Sequence, residues 1–304
     1  GYSLKKSNKI IIAVLIAVMA VSIFVIAYCS VIGLTGKRKT PETEQSSGTE
    51  STSGTVNTEE TTETQSSTGD TQPPEKPDKV IALTFDDGPS LSVTPKILDL
   101  LEKYGAKATF FPVGYNLTES KMAYLRRALS MGCEIGNHSD SHPISLTRLT
   151  DEEILREITE VNRKLASLTE NGYAPKLMRP PGGNINKDVM EVLYSGGVRM
   201  YSILWNADSR DWEFNKRYLD GEITYEQAVD GAVELVLSEA RNGGIILMHD
   251  IKDITPAVLE RVLESLSEEG YTFVTVSELF DFDDMGKDAY FSEFYSEGNI
   301  VTAD

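Results

Sequence analysis

From residue 79 onward, short apolar runs alternate with stretches of helical periodicity, and this alternation constrains the fold more than any other feature of the chain. Strand character falls at residues 80–85, 107–113, 133–136, 176–178, 198–205, 244–248 and 271–276. The intervening segments predict helices. Thr94 reads as an N-cap with Pro95 at the first helical position, Ile97, Leu100, Leu101 and Tyr104 make one face, and Gly105 stops the helix. Thr150 and Glu153 spell a capping box, and Ile154, Ile158, Val161, Leu165 and Leu168 follow as a core face. Further helices are predicted over 120–131, 187–195, 225–241 and 255–268. Strands joined by helical crossovers run parallel, in a barrel or an open sheet. About seven strands in about 225 residues suit a distorted (β/α) barrel, whose chemistry sits on the loops after the strand C-termini.

The first 78 residues are of another kind. Residues 10–34 carry no charge and are flanked by Lys5, Lys6 and Lys9 and by Lys37, Arg38 and Lys39. At ~1.5 Å per residue this run can cross the ~30 Å hydrocarbon layer, and it is longer than the apolar core of a signal peptide. An uncleaved single-pass anchor is expected there, behind a short basic cytoplasmic segment at 1–9. Residues 40–75 hold 17 Ser or Thr, with Val56 as the sole aliphatic side chain. Such a segment cannot bury apolar surface, so residues 35–78 are expected to be a disordered stalk. These features predict a domain at 79–280 held outside the cytoplasm at a cell membrane, followed by an acidic extension at 281–304.

Charge narrows the partners. Residues 1–39 carry a formal +6, residues 40–78 carry −8 and residues 79–304 carry −16. An acidic domain repels phosphate backbones, which argues against nucleic acid. Cys133 is the domain's lone cysteine and reads as a small buried apolar residue.

The chemistry-bearing residues all follow predicted strands. Asp86 and Asp87 end the first strand in TFDDGPS; two adjacent buried carboxylates are costly unless neutralised, and a metal cation is the usual remedy, although Asp-Gly-Pro is also ordinary turn chemistry. The chain has three histidines. His138 and His142 lie four apart in NHSDSH, a spacing that would place both rings on one face of a helical turn, suited to one cation. Ser139 stands where a zincin needs Glu, which excludes that type of metalloprotease. His249 ends the strand IILMHD. Arg179 opens the rigid RPPGG turn and could hold a carboxylate bidentately, while Asp208-Ser209-Arg210-Asp211-Trp212 adds acid and a large ring that could stack on a sugar.

In their order TFDDG, HSDSH, RPPGG, DSRDW and LMHD, these motifs resemble those of the polysaccharide deacetylases, carbohydrate esterase family four with its NodB-homology domain, over about residues 78–280. The resemblance implies a distorted (β/α) barrel and metal-dependent removal of acetyl groups from N-acetylated sugars. Carried over by residue, Asp86 resembles the catalytic base, and Asp87, His138 and His142 the ligands of one divalent metal ion, zinc first with cobalt or manganese as alternatives. Arg179 resembles the residue that holds the base, Asp211 the one that tunes the histidine, and His249 the general acid. Leu247 resembles the lining of the acetyl-methyl pocket, and Trp212, Pro181 and Gly182 belong to the substrate side. Many members carry an aromatic residue at position 182, so Gly182 keeps a backbone N–H for the oxyanion but loses a groove wall. The implied partner is a cell-wall polysaccharide, peptidoglycan above all. Chitooligosaccharides, O-acetylated polysaccharides and a silent glycan-binding domain of the same fold are the alternatives.

Overall fold

In the computed structural model of the chain, the residues described are 78–280 together with two strands at 293–296 and 299–302. The expected anchor and stalk lie outside the described residues. Among the described residues, no helix is long and apolar enough to cross a membrane.

The architecture is α/β. The central strand β1 (Val80–Asp86) is flanked on one side by β7 (Gly244–His249). On the other side it pairs in its first half with β8 (Thr272–Val274) and in its second half with β2 (Thr109–Phe111). The sheet runs β3-β2-β1-β7-β6, with β3 at Glu134–Ile135 and β6 at Ala207–Asp208. A second sheet joins β4 (Leu177–Met178), β5 (Tyr201–Ile203), β9 (Glu293–Ser296) and β10 (Asn299–Thr302). A single parallel bridge, Asn137 to Met178, links the edge beyond β3 to β4. All these pairings are parallel except that of β9 with β10. Among the described residues no ladder joins β5 to β6, so the curve of strands is interrupted there.

Alternation along β1 and β7 sorts the side chains. Ile81, Leu83 and Phe85, with Ile246 and Met248, enter the large core beneath the helices. Phe85 stacks on Phe110 at 5.2 Å between ring centroids. The opposite face carries Ala82, Ile245, Phe111, Leu177, Tyr201 and Ile203, a smaller apolar cluster at the inner side of the strands. Thr84 and Asp86 share that inner face with Ala82, as Leu247 and His249 share it with Ile245, because strand side chains repeat every two residues. Residues with chemistry therefore emerge where the apolar inner plug ends.

The helices are α1 (Thr94–Tyr104), α2 (Glu119–Ser130), α3 (Asp151–Leu165), α4 (Lys187–Ser195), α5 (Asp211–Leu219), α6 (Tyr225–Glu239), α7 (Thr255–Glu268) and α8 (Val276–Phe280). The capping box at Thr150 and Glu153 is present, and Gly105 closes α1 with φ 61°. Thr94 is not the cap of α1, however. It is already helical and buried, and its hydroxyl is committed to Asp250 Oδ2 at 2.6 Å. Helix α5 falls where no helical start signal is present in the sequence, because Arg210 ahead of it is left-handed (φ 47°) and offers no side-chain cap. Cys133 is buried and free.

Candidate active site

Asp86 and His249 are direct neighbours in the parallel register of β1 and β7. Asp86 is almost fully buried, and its Oδ1 accepts a 2.8 Å bond from Nη1 of Arg179, which has no exposed surface at all. The same Nη1 donates to the Thr84 hydroxyl, which in turn donates to the Ile246 carbonyl. Nε and Nη2 of Arg179 donate to the carbonyls of Ile203 and Leu204. The expected bidentate grip is thus not formed; the guanidinium spreads its donors over four acceptors and ties the ends of β1 and β5 together. Its plane lies over Phe111 at 4.4 Å, so the buried cation is compensated on its faces as well.

The next carboxylate belongs to a different environment. Asp87 turns out of the strand with φ 75°, and its Oδ1 is buried without a hydrogen-bond partner. Nε2 of His138 lies 3.6 Å from that oxygen and Nε2 of His142 3.4 Å from it. The donor atoms of the three residues all lie within 4.8 Å of one another. Nδ1 of His138 is 2.7 Å from the Arg179 carbonyl, which can only accept, so Nδ1 carries the hydrogen and Nε2 is left free to ligate. Burial pushes the His138 pKa down and keeps the ring in the neutral, ligating form. An orphaned buried carboxylate oxygen facing two imidazole nitrogens fits one divalent cation, and the mix of two nitrogens and one oxygen suits zinc.

The two histidines do not share a helical turn. Their loop is irregular, with Ser139 at φ 66° and His142 at φ 52°. Asn137 accepts from the Ser139 N–H and donates to Asn162. Glu157 of α3, almost fully buried, accepts from the backbone N–H groups of Asp140 and Ser141 and from the Ser141 hydroxyl. Sequence reading missed Glu157. The available signal was a carboxylate between Ile154 and Ile158 on the face predicted to be core.

Across the cleft, His249 is complete within the protein. Its Nδ1 lies 2.6 Å from Asp211 Oδ1, and its backbone N–H donates to Asp211 Oδ2. Thr255 donates a third bond to the same carboxylate, which has no exposure. Burial pulls the His249 pKa down, but the Asp211 charge and hydrogen bond, with smaller help from Asp86 and Asp87, outweigh it and raise the pKa to about 9. The Asp211 carboxyl is penalised by burial yet ends below its ordinary value because His249 pairs with it.

These groups meet in a cleft of about 400 Å³ that also touches Leu247, Gly182, Trp212, Trp205 and Asp208. Leu247 is nearly buried, and Trp212 stands 47% exposed in the first turn of α5. Pro181 is buried and does not line the cleft, so only its neighbour Gly182 (φ 62°) reaches it. Trp205 was not anticipated as a site residue. Its ring packs on Gly183 so closely that a Cβ there would lie 3.1 Å from Cη2, and it presents an aromatic wall beside the position where Gly182 lacks one. Asp250 was also missed as a site residue. It is buried directly under Gly88, where no side chain could be added, and burial raises its pKa to about 7.

The family profile for polysaccharide deacetylase matches residues 74–201. The solved peptidoglycan deacetylase PdaC from Bacillus subtilis is 36% identical and superposes with a TM-score of 0.58, covering 68% of this chain and 92% of that one. The chain belongs to the polysaccharide deacetylase family. A family 4 acetyl xylan esterase from Clostridium thermocellum, solved in complex with a cobalt ion, is similar at 31% identity and a TM-score of 0.59, over 71% of this chain and 98% of that one. The peptidoglycan-N-acetylglucosamine deacetylase PgdA of Listeria monocytogenes is 38% identical over 208 residues, which are 68% of this chain and 40% of PgdA. The chain spans about two fifths of the length of that curated relative.

Proposed function

We propose that this chain hydrolyses N-acetyl groups from amino sugars of a cell-wall polysaccharide, most specifically peptidoglycan. The observation that carries the reading is the pairing of a three-residue cation site with Asp86 and His249, which stand in register on adjacent strand ends above the same apolar plug. A divalent cation held by Asp87, His138 and His142 would supply Lewis acidity toward water and the amide oxygen. Two imidazole nitrogens and one carboxylate oxygen suit zinc, with cobalt or manganese as alternatives.

The chain's own residues divide the proton work. Asp86, oriented by Arg179, accepts a proton from the attacking water as the water oxygen bonds to the amide carbon. Leu247 borders the space for the acetyl methyl group, and the Gly182 N–H is assigned to the developing oxyanion. His249, held protonated by Asp211, then delivers a proton to the sugar nitrogen as the carbon–nitrogen bond breaks. Acetic acid and a free amine leave, and the proton held by Asp86 makes good the one lost by His249 before the next turnover, so atoms and charge balance.

The charge-free run at 10–34 and the Ser/Thr-rich stretch after it support a tether that presents the domain to wall polymer outside the membrane. Incubating residues 76–304 with wall fragments and following them by mass spectrometry tests the activity: each turnover should remove about 42 Da, the mass of C₂H₂O. Acetate release from acetyl xylan alone would transfer the reading to O-acetyl esters. Binding of fragments with no mass change, by protein carrying stoichiometric metal, would make the domain a glycan-binding module.

A further inference from the structure

Among the described residues six large apolar side chains are exposed, and four of them, Leu91, Tyr115, Ile144 and Trp212, stand on segments that follow β1, β2, β3 and β6. Single exposed apolar residues scattered over a surface need no explanation, but four gathered at the reactive ends of the strands do. Tyr115 is the most informative of them. It is 58% exposed, yet its mount is rigid and is bonded to both segments that carry the metal ligands. Its backbone N–H donates to the Asp140 carbonyl, between His138 and His142, and the preceding Gly114 N–H donates to Ser139. Gly114 sits so close to Asp140 that no larger residue fits. The following residue, Asn116, donates from Nδ2 to the Asp87 carbonyl at 2.7 Å and accepts from Lys121.

An exposed ring on a fixed mount loses little entropy on binding a ligand, which is what recognition surfaces exploit. Its place in the sheet order says what it would meet. From β6, which feeds Trp212, to β2, which feeds Tyr115, is three strand spacings, about 14 Å, with His249 and Asp86 in between. That span is wider than one sugar ring.

We propose that Tyr115 is a sugar-stacking platform for a pyranose neighbouring the one being deacetylated, so that Tyr115 and Trp212 hold a glycan chain on either side of the reaction centre. This rests on the deacetylase reading and deepens it: the substrate is the interior of a polymer, gripped by aromatic faces that meet the apolar C–H face of a sugar. The phenol pKa is raised, first by partial burial and then by the Asp87 charge, in keeping with a ring that stands at the rim of the site.

The test measures kcat and KM on N-acetylglucosamine oligomers from dimer to hexamer for the zinc-loaded protein and for Tyr115→Ala and Tyr115→Phe. The wild type should gain in kcat/KM with length. Tyr115→Ala should lose that gain through KM, by about two- to tenfold on the hexamer and progressively less on shorter oligomers. Tyr115→Phe, which keeps the ring, should retain it. An unchanged length dependence in Tyr115→Ala, with turnover intact, overturns the platform and leaves the deacetylase reading standing. Loss in Tyr115→Ala equal at every length also overturns it, since a ring beside the reacting sugar must matter more as the chain grows. Failure of the wild type on every oligomer and on wall fragments overturns both.

Discussion

The two halves of the site are built on opposite plans. The His249 half rests on regular structure apart from the left-handed Arg210 ahead of α5: strand β7 fixes the residue, the first turn of α5 supplies Asp211, and three donors satisfy that carboxylate. The half that holds Asp87, His138 and His142 rests on backbone turned out of the usual regions at three positions, and it leaves a buried acceptor unpaired. Left-handed conformations in non-glycine residues cost of order 1–3 kcal/mol each and persist only where the surroundings enforce them. One half is finished by the protein alone; the other is finished by what it binds. The acid half should therefore keep its fold and hydrogen bonds whether or not metal is bound, while the ligand half should change its stability and order with metal occupancy.

The largest effect expected from breaking that contrast is at the ligand half. His142→Ala should abolish stoichiometric metal, measured by elemental analysis, together with turnover. The apo variant should unfold close to the apo wild type, because His142 is partly exposed and the core lies elsewhere. Full metal content with full activity in this variant would break the assignment of the triad. On the other half, His249→Ala should cut kcat by about 10²–10⁴, the usual value of a general acid, with metal content untouched. Equal losses of metal in both variants would erase the distinction between the halves.

Acid–base behaviour sharpens the comparison. His249 titrates at about 9 against 6.5 for the ordinary imidazole, so its folded pKa is raised. The stability it contributes is complete below about pH 6.5 and is lost as pH rises through about 9. A bound cation offsets the Asp86 and Asp87 part of the upward push, so the alkaline limb of kcat/KM in loaded enzyme should fall below 9. Asp211→Asn removes the principal negative charge beside the ring and should move that limb lower still. Metal content should stay constant. An alkaline limb at the same pH in Asp211→Asn would assign the titration to another group.

How legible each half was in the sequence follows from the same difference. Both strands that end in the acid–base pair are legible as short apolar runs, 80–85 before Asp86 and 244–248 before His249, and reactive groups are expected at such strand ends. The ligand residues were identifiable by type and by resemblance, but their geometry was not. A gap of four suggested a helical turn, whereas Ser139 and His142 adopt left-handed backbone in a loop that bonds from Asn137 and Glu157 help to hold. Those bonds join residues up to 17 apart through tertiary packing, which periodicity does not encode. Arg179 failed in the same way: its donors are fixed by the carbonyls of Ile203 and Leu204, which no local pattern points to. Helix α5 was obscured by a left-handed Arg210 at a position where a capping side chain is normally the signal.

The smallest effect is also the one that asks most directly what holds the ligand half together. Glu157 touches neither metal ligand, yet it gathers two backbone N–H groups and one hydroxyl from Asp140 and Ser141, the stretch that connects His138 to His142. Its Oε2 accepts both backbone bonds and its Oε1 accepts the hydroxyl. Glu157→Gln is nearly isosteric but replaces one acceptor oxygen with a donor. With the amide NH2 toward the two backbone N–H groups, both lose their acceptor; turned the other way, it can donate to the Ser141 hydroxyl while the amide oxygen keeps the backbone bonds, and the removed charge still weakens them. The loop should then sample other conformations and hold His142 less firmly against Asp87. Metal affinity should fall by about 10- to 100-fold, the range for supporting residues around a metal site, while saturating metal should restore most of kcat. The pH limb owed to His249 should not move, because Glu157 lies on the other side of the cleft. Should Glu157→Gln instead bind metal as tightly as the wild type, the loop would be held by the backbone alone, and the proposed dependence of this half on its tertiary clamp would be lost.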